Sequence, residues 1–591
     1  MLATSRQPLR LSGEAVHPVA PLAPADAARL FVVLVLDHTG VPVPADQLPL
    51  VTALCRDLDG LPLAIELAAA RATALSVPDI AARLSDRFAL LRSTRGLAVP
   101  RDTRSARDPV AGHPHHRTLA AALDWSYDLI DDAQRALLRR VTVFVGGFRL
   151  DAAEAVDPDA LDLLTELVDR SLVVVDRRDG TRYRLLETVR AYALRRTGAE
   201  ERMDAQRRHA SHFLALAEEA AANLRGGHQA AWLARLAADY PNLQAAMHWL
   251  LEHGDGTEEL RLATALAAYC KYSGHYRDGR RWLDLALRRR PDAPDEIRLP
   301  AVIEASALAI LDCEYPTSVR LAHEALDLTG PDRPEFARLL VLLASVQRET
   351  GQYEQAIACV ERALVYYRAV GDEHGVARAL HTGAFAAWVS GDLTAAERYL
   401  AECLPRVRAV GDPEAIASAL MNLGAVAFYG GDTERARRLF DDALERHEMI
   451  NFGEGIAWVR NLLGLVELRA GRDQPARAHL AASLRLHRQL GDRWRTASVL
   501  EALAETVRRA GSARTAAVLL GAAGAIRSAI GAPVPAVERT DWERTYGALQ
   551  AELGEPELLA AITEGHDREL DVVLAAVGAA QPGSLDSAIR A

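Results

Sequence analysis

Glycines recur at Gly351, Gly391, Gly431, Gly471 and Gly511, a spacing of 40 residues. A second series at Gly371, Gly411, Gly491 and Gly531 runs halfway between them, with Asn451 in its one vacant slot. Glycine and asparagine tolerate the left-handed backbone that ends helices, so each marks a helix terminus. The interval predicts units of two helices of about four turns each, joined by tight turns. Five residues after each glycine of the first series stand Ala356, Ala396, Ala436, Ala476 and Ala516, and nine after it Val360, Leu400, Phe440, Leu480 and Leu520. Seven residues before it stand Ala344, Ala384, Gly424, Gly464 and Ala504. Small residues at fixed places let helices approach, and the large apolar ones fill the groove beside them. Such a chain must stack into an α-solenoid, whose long concave face is ordinarily a binding surface. Weaker units around Gly274-His275-Tyr276 and Asp312-Cys313-Glu314-Tyr315 bring the expected count to six or seven over residues 260–530. Tyr353, Tyr366, Tyr367, Trp388 and Tyr429 recur around the repeat, where they either line a ligand groove or pack its core.

Upstream the pattern changes. Helices are expected at Leu50–Leu58 and Leu63–Thr73, broken by Gly60-Leu61-Pro62, and residues 92–116, rich in Gly, Pro and alternating charges, read as a linker. Three further helices, Arg117–Leu129, Asp132–Val141 and Pro158–Arg170, precede two short strands about the turn Asp179-Gly180. Three helices and a hairpin make a winged helix. Its third helix carries Asp159, Asp162, Glu166 and Asp169 against Arg170 alone, so in a major groove it would set carboxylates against phosphates. A hinge or clamp packed inside its own protein is the expected role.

Composition excludes several classes. At 591 residues the chain exceeds a single core, and a net charge of −11 argues against coating nucleic acid or anionic membrane. Five scattered cysteines without a CxxC pair predict a reduced, cytoplasmic protein. Neither a signal-peptide core nor a run of about 20 uninterrupted apolar residues is read, so no membrane association is expected. Lys271 is the only lysine among 69 Lys+Arg residues, so any chemistry needing lysine must use it. It lies in a helical segment, away from any Gly-x-x-x-x-Gly-Lys-Ser/Thr, the loop that cradles nucleotide phosphates. The histidines His113, His115 and His116, the pair His209 and His212, and His447-Glu448 lack the further ligands a metal needs, so neither metal-binding nor catalytic residues are expected.

In order along the chain, LATSR, GLPLAIELAAAR, RTLAAALDWSYDLI, VTVFVGGFRLDAA, RYRLLETVRAYAL and NLQAAMHWLLEHGD, followed by helical repeats, resemble bacterial signal-transduction ATPases of the NB-ARC, or STAND, class. The likeness is to actinobacterial transcriptional regulators whose nucleotide switch precedes tetratricopeptide-like repeats. It implies a mainly α chain: a remnant of a nucleotide-binding domain at 1–23, a small helical domain at 24–91, the linker, and a winged helix at 117–200. A helical connector at 201–259, repeats at 260–530 and a helical tail at 531–591 follow. Within the resemblance, Arg6 corresponds to the arginine that feels the terminal phosphate, with Thr4 and Ser5 beside it. Gly60 and Pro62 correspond to the turn whose proline lies against adenine, and Glu187 follows Leu186 where the family often has histidine. Strand capping, helix breaking and core packing are equally open readings of these residues. ADP or ATP is expected only if a P-loop domain lies upstream, and no hydrolysis by this chain. The resemblance implies a regulator whose solenoid takes a protein or small-molecule signal, with DNA reached only through a separate output domain and oligomerisation left open. The alternative is a tetratricopeptide adaptor with no nucleotide switch.

Overall fold

The computed structural model describes residues 21–84, 119–177, 180–330 and 332–580. Thr4, Ser5 and Arg6, the 92–116 linker with its three histidines, and Asp179 lie outside the described residues. The chain forms two compact units, one comprising residues to Phe213 with Pro241–Ala246, the other Leu214–Tyr240 and Met247 onward.

In the first unit, helices Pro24–Thr39, Leu48–Asp57, Pro62–Ala69 and Val77–Ala82 enclose a core of Phe31, Leu54, Leu58, Ile65 and Ile80. The Gly-Leu-Pro break has a local cause. Asp59 and Gly60 turn through φ of 57° and 64°, and a Cβ at Gly60 would stand 2.5 Å from the Leu22 carbonyl oxygen. Pro62 then opens the next helix, where its missing N–H costs nothing.

The winged helix follows. Helix Asp132–Arg140 starts at a capping box of Asp131 and Gln134. Strands Val174–Asp176 and Arg182–Arg184 pair antiparallel, with Val175 opposite Tyr183. The expected third helix, Pro158–Arg170, forms as Ala160–Asp169, and a further helix not expected from the sequence, Leu150–Val156, precedes it. Buried Asp157, paired to Arg140 at 2.7 Å, occupies the break. A seven-residue helix is too short to declare itself by periodicity and forms on tertiary packing of Ala152, Ala153 and Val156.

In the second unit, seven helix pairs run from Thr257–Ser273 with Tyr276–Arg289 to Arg493–Arg509 with Ala513–Ile530. Every glycine of both series has positive φ, as does Asn451 at 51°. The helices are longer than the expected four turns: Tyr353–Val370 and Glu373–Ser390 have 18 residues, or about five turns. Junctions of two or three residues allow this length, and at five of them an aspartate follows the glycine. Asp372, Asp392, Asp412, Asp432 and Asp492 each accept the backbone N–H three residues on, at 2.9 to 3.1 Å, so one residue ends a helix and the next starts another. The small-against-large register is also physical: a Cβ at Gly424 would lie 2.5 Å from Phe440 Cε1, and one at Gly464 2.7 Å from Leu480 Cδ2.

Helix Ala513–Ile530 is long and apolar enough to span a membrane by composition. Here it is a core helix, with Ala516, Leu519, Leu520 and Ala523 buried and a Cβ at Gly521 set to collide with the Ile562 carbonyl of the later helix Glu555–Asp567.

Candidate functional site

Three residues after each cap of the second glycine series the chain places His374, Glu414, Glu454 and Trp494. Four further on stand Arg378, Ser418, Trp458 and Ser498, and three beyond those His381, Met421, Asn461 and Glu501. This register supplies polar groups to the interior of the solenoid, where His374, Arg378, His381, Glu414 and Ser418 all line one cavity of about 180 Å³.

That cavity collects charge. Arg225, Lys271, Arg378, Asp412 and Glu414 line it, together with apolar Ala377, Val407 and Val410. Arg225 comes from the loop between helices Ala199–Asn223 and Gln229–His253. The loop is tied down by Gly226 N–H donating to Asp412 Oδ2 at 3.4 Å and by Glu414 N–H donating to Gln229 Oε1 at 3.3 Å. His381 faces Asn422, whose Nδ2 stands 3.0 Å from its Nε2 while Asn422 Oδ1 accepts the Trp388 indole N–H at 3.0 Å. The amide N–H therefore points at the imidazole, which accepts as the neutral base. Burial holds the His381 pKa down at about 4 against the pull of Glu414. Burial and then Arg225 and Arg378 lower His374 as well. Burial opposes the charge on Lys271, but Glu414 and neighbouring groups outweigh it and hold the ammonium ionised.

A second polar cluster seals the solenoid on itself. The Arg493 guanidinium donates to Glu314 at 2.8 Å and to the Asp312 carbonyl at 3.0 Å, and the Trp494 indole donates to the Glu349 carbonyl at 3.2 Å. Arg495 pairs with Asp492 at 3.0 Å and lies over the Trp458 ring at 3.9 Å. The expectation of one long open concave face is thereby refined. Early and late repeats meet across the axis, and the interior is divided into cavities. One of these, of about 110 Å³, takes Tyr429, Asn461 and Glu538. Of the recurring aromatics, Tyr367 and Trp388 are fully buried core.

In the first unit, the Asp59 carboxylate caps helix Glu187–Leu194. It accepts Glu187 N–H at 3.0 Å, Thr188 N–H at 2.9 Å and the Thr188 hydroxyl at 3.0 Å. A depression of about 720 Å³ adjoins this latch, lined by Arg56, Asp59, Phe144, Arg184, Glu187 and Arg190. Of the residues singled out from sequence, Glu187 lies in it, Gly60 serves the turn beside the latch, and Pro62 is exposed at the helix start. Leu186 is buried. Sequence reasoning missed Asp59, whose sign was an acidic residue directly before a left-handed glycine. It also missed the 374/414/454 register, visible as charge at a fixed offset from the caps.

On helix Ala160–Asp169 the exposed positions are Leu161, Asp162, Thr165 and Glu166, an acidic surface. His209 and His447 are buried, His209 against Phe144 and Phe213 and His447 against Phe452. Among the described residues no group of three His, Cys, Asp or Glu side chains is arranged to hold a metal.

Fold and interior define a class: a helical protein combining a winged helix with a tetratricopeptide-like solenoid. Residues 130–197 match the winged helix-turn-helix domain family, and residues 335–409 and 375–449 match the tetratricopeptide repeat. The chain is homologous to mycobacterial proteins carrying the name "Putative HTH-type transcriptional regulator". To those of Mycobacterium tuberculosis and Mycobacterium bovis it is 33% identical over 424 residues, covering 68% of this chain and 46% of theirs. An uncharacterized M. tuberculosis protein is 40% identical over 216 residues, 35% of this chain and 51% of that one. The chain thus spans about half the length of the curated relatives it matches. Among solved structures, a STAND protein with a tetratricopeptide repeat sensor from Pyrococcus horikoshii aligns over 95% of this chain and 75% of its own, at 14% identity and a TM-score of 0.42.

Proposed function

We propose that this chain is the sensing and relaying portion of a STAND-type transcriptional regulator. In this reading the solenoid interior receives the signal, and the helical and winged-helix unit is the half that faces a nucleotide switch. The observation that carries it is the charged cavity around Lys271. In a solenoid that only spaced two domains, helix capping would account for Asp412 but not for three cations and Glu414 gathered along one cavity. The Asp59 latch supports the relay role, because it ties the small helical domain to the winged helix through a single carboxylate. Thr4, Ser5 and Arg6, with Gly60, Pro62 and Glu187, are assigned to the nucleotide-facing side, where ADP or ATP would be held together with a P-loop domain. DNA contact is assigned to a separate output domain, since the exposed face of the winged helix's third helix is acidic.

Deleting the gene in the source organism and profiling transcripts tests this. A regulator leaves a discrete set of transcripts changed and restored by complementation. An unchanged profile would favour the adaptor reading, in which the repeats bind proteins without a switch.

A further inference from the structure

The same cavity identifies the chemistry of a ligand, and this step rests on the sensor reading above. Arg225, Lys271 and Arg378 line it, and among the described residues none of the three has a carboxylate within 4.0 Å. Several arginines elsewhere on the repeats are paired, as Arg338 is to Glu304, Arg368 to Glu402 and Arg495 to Asp492. Arg378 gives one N–H to the Tyr367 hydroxyl at 2.9 Å, and its buried Nε has no partner. Arg225, an exposed residue whose guanidinium reaches the cavity, has its ionised form disfavoured by partial desolvation and then by Arg378 and Arg338. Cations held near one another with open hydrogen-bond donors await an anion.

We propose that the cavity binds a small monocarboxylate with an apolar body, its carboxylate between Arg225 and Arg378. Charge sets the valence. Three cations, Arg225, Lys271 and Arg378, face two carboxylates, Asp412 and Glu414, which leaves one positive charge for a ligand to neutralise. The two histidines add none, being held neutral. Size sets the scale: about 180 Å³ accommodates on the order of ten waters, a small metabolite and not a peptide. Val407 and Val410 provide the apolar wall against which the body packs. The consequence is regulatory. Arg225 sits on the loop that is joined to the repeats by two long hydrogen bonds, at 3.4 and 3.3 Å, and Arg378 on the repeat helix Glu373–Ser390. A carboxylate bound by both fastens that loop to the repeats.

The test uses the full chain at constant ionic strength, titrated with butyrate, valerate and benzoate and, separately, with inorganic phosphate. Melting midpoint and hydrogen exchange are followed over residues 222–230 and 372–382. The carboxylates are expected to raise the midpoint and slow exchange in both segments, with Arg225→Gln and Arg378→Gln each weakening the response at least tenfold. Without ligand, Arg225→Gln is expected to melt no lower than the parent, since it removes a cation from a crowded cluster, and a marked loss there would assign Arg225 a structural role and overturn the proposal; Arg378→Gln also loses its hydrogen bond to Tyr367 and is judged by its response to ligand alone. A response to phosphate and not to carboxylates, equal responses in parent and variants, or no response to any acid would also overturn it. The sensor reading is judged apart from this. If Arg378→Gln complements the deletion strain fully, the ligand inference falls and the regulator stands; if the parent chain itself changes no transcripts, the regulator reading falls.

Discussion

Replacing Asp59 by glycine removes the latch while keeping the backbone relaxed, because Asp59 already stands at φ 57°, where glycine is at ease. Three donors lose their acceptor: the N–H groups of Glu187 and Thr188 and the Thr188 hydroxyl. Loss of a helix-capping side chain costs about 1 kcal/mol. Thr188 is fully buried, so its stranded donors add about 1–3 kcal/mol. The sum is about 2–4 kcal/mol, which lowers protection of the first-turn amides roughly 30- to 1000-fold. Hydrogen exchange measured on peptides spanning residues 185–195 of the full chain reads this directly, with peptides of the solenoid as internal control. Asp59→Asn, which tolerates the same backbone and keeps one acceptor oxygen, is expected to fall between the two. Unchanged protection at residues 187–190 in Asp59→Gly would refute the latch.

Three further outcomes follow from the structure. Gly424→Ala drives a Cβ to 2.5 Å from Phe440 and is expected to cost about 1–3 kcal/mol; combining it with Phe440→Leu should recover part of that loss, and strict additivity in urea unfolding would contradict the contact. Burial holds His209 and His447 at a pKa of about 4, with the Asn242 contact opposing it at His209 and Glu414 at His447; the unfolded imidazoles bind protons from pH 6.5 downward and the folded ones do not. Stability should therefore fall as pH drops through 6.5 and level off below about 4, by about 2 kcal/mol per histidine at pH 5, and His447→Gln should flatten that slope; an unaltered slope argues against it. Finally, purified chain incubated with ATP and magnesium is expected to release no phosphate above a buffer control, and turnover lost on Lys271→Met would overturn that expectation.

Legibility in the sequence divides along the range of the interaction. The glycine series, Asn451 and the small-large pairs Gly424–Phe440 and Gly464–Leu480 are features of neighbouring helices, so their spacing is visible without coordinates. The hairpin was legible for the same reason, while helix Leu150–Val156 escaped because tertiary contacts, and not length, stabilise it. Contacts between distant segments left no periodic trace. Asp59 reaches residues 128 and 129 positions away, and Arg493 reaches Glu314 across 179. Lys271 stood out by rarity alone; its cavity became evident only when the loop of Arg225 was seen to lie against Asp412.

The central claim is that a signal enters the solenoid interior and that its effect is relayed to the winged helix. Hydrogen exchange across the full chain, with and without the small-molecule fraction of the source organism's extract, tests this most directly. The account predicts slowed exchange at residues 222–230, 372–382 and 412–420, accompanied by altered exchange at 185–195. Protection confined to the outer helices, or a change at the cavity that leaves 185–195 untouched, would contradict it.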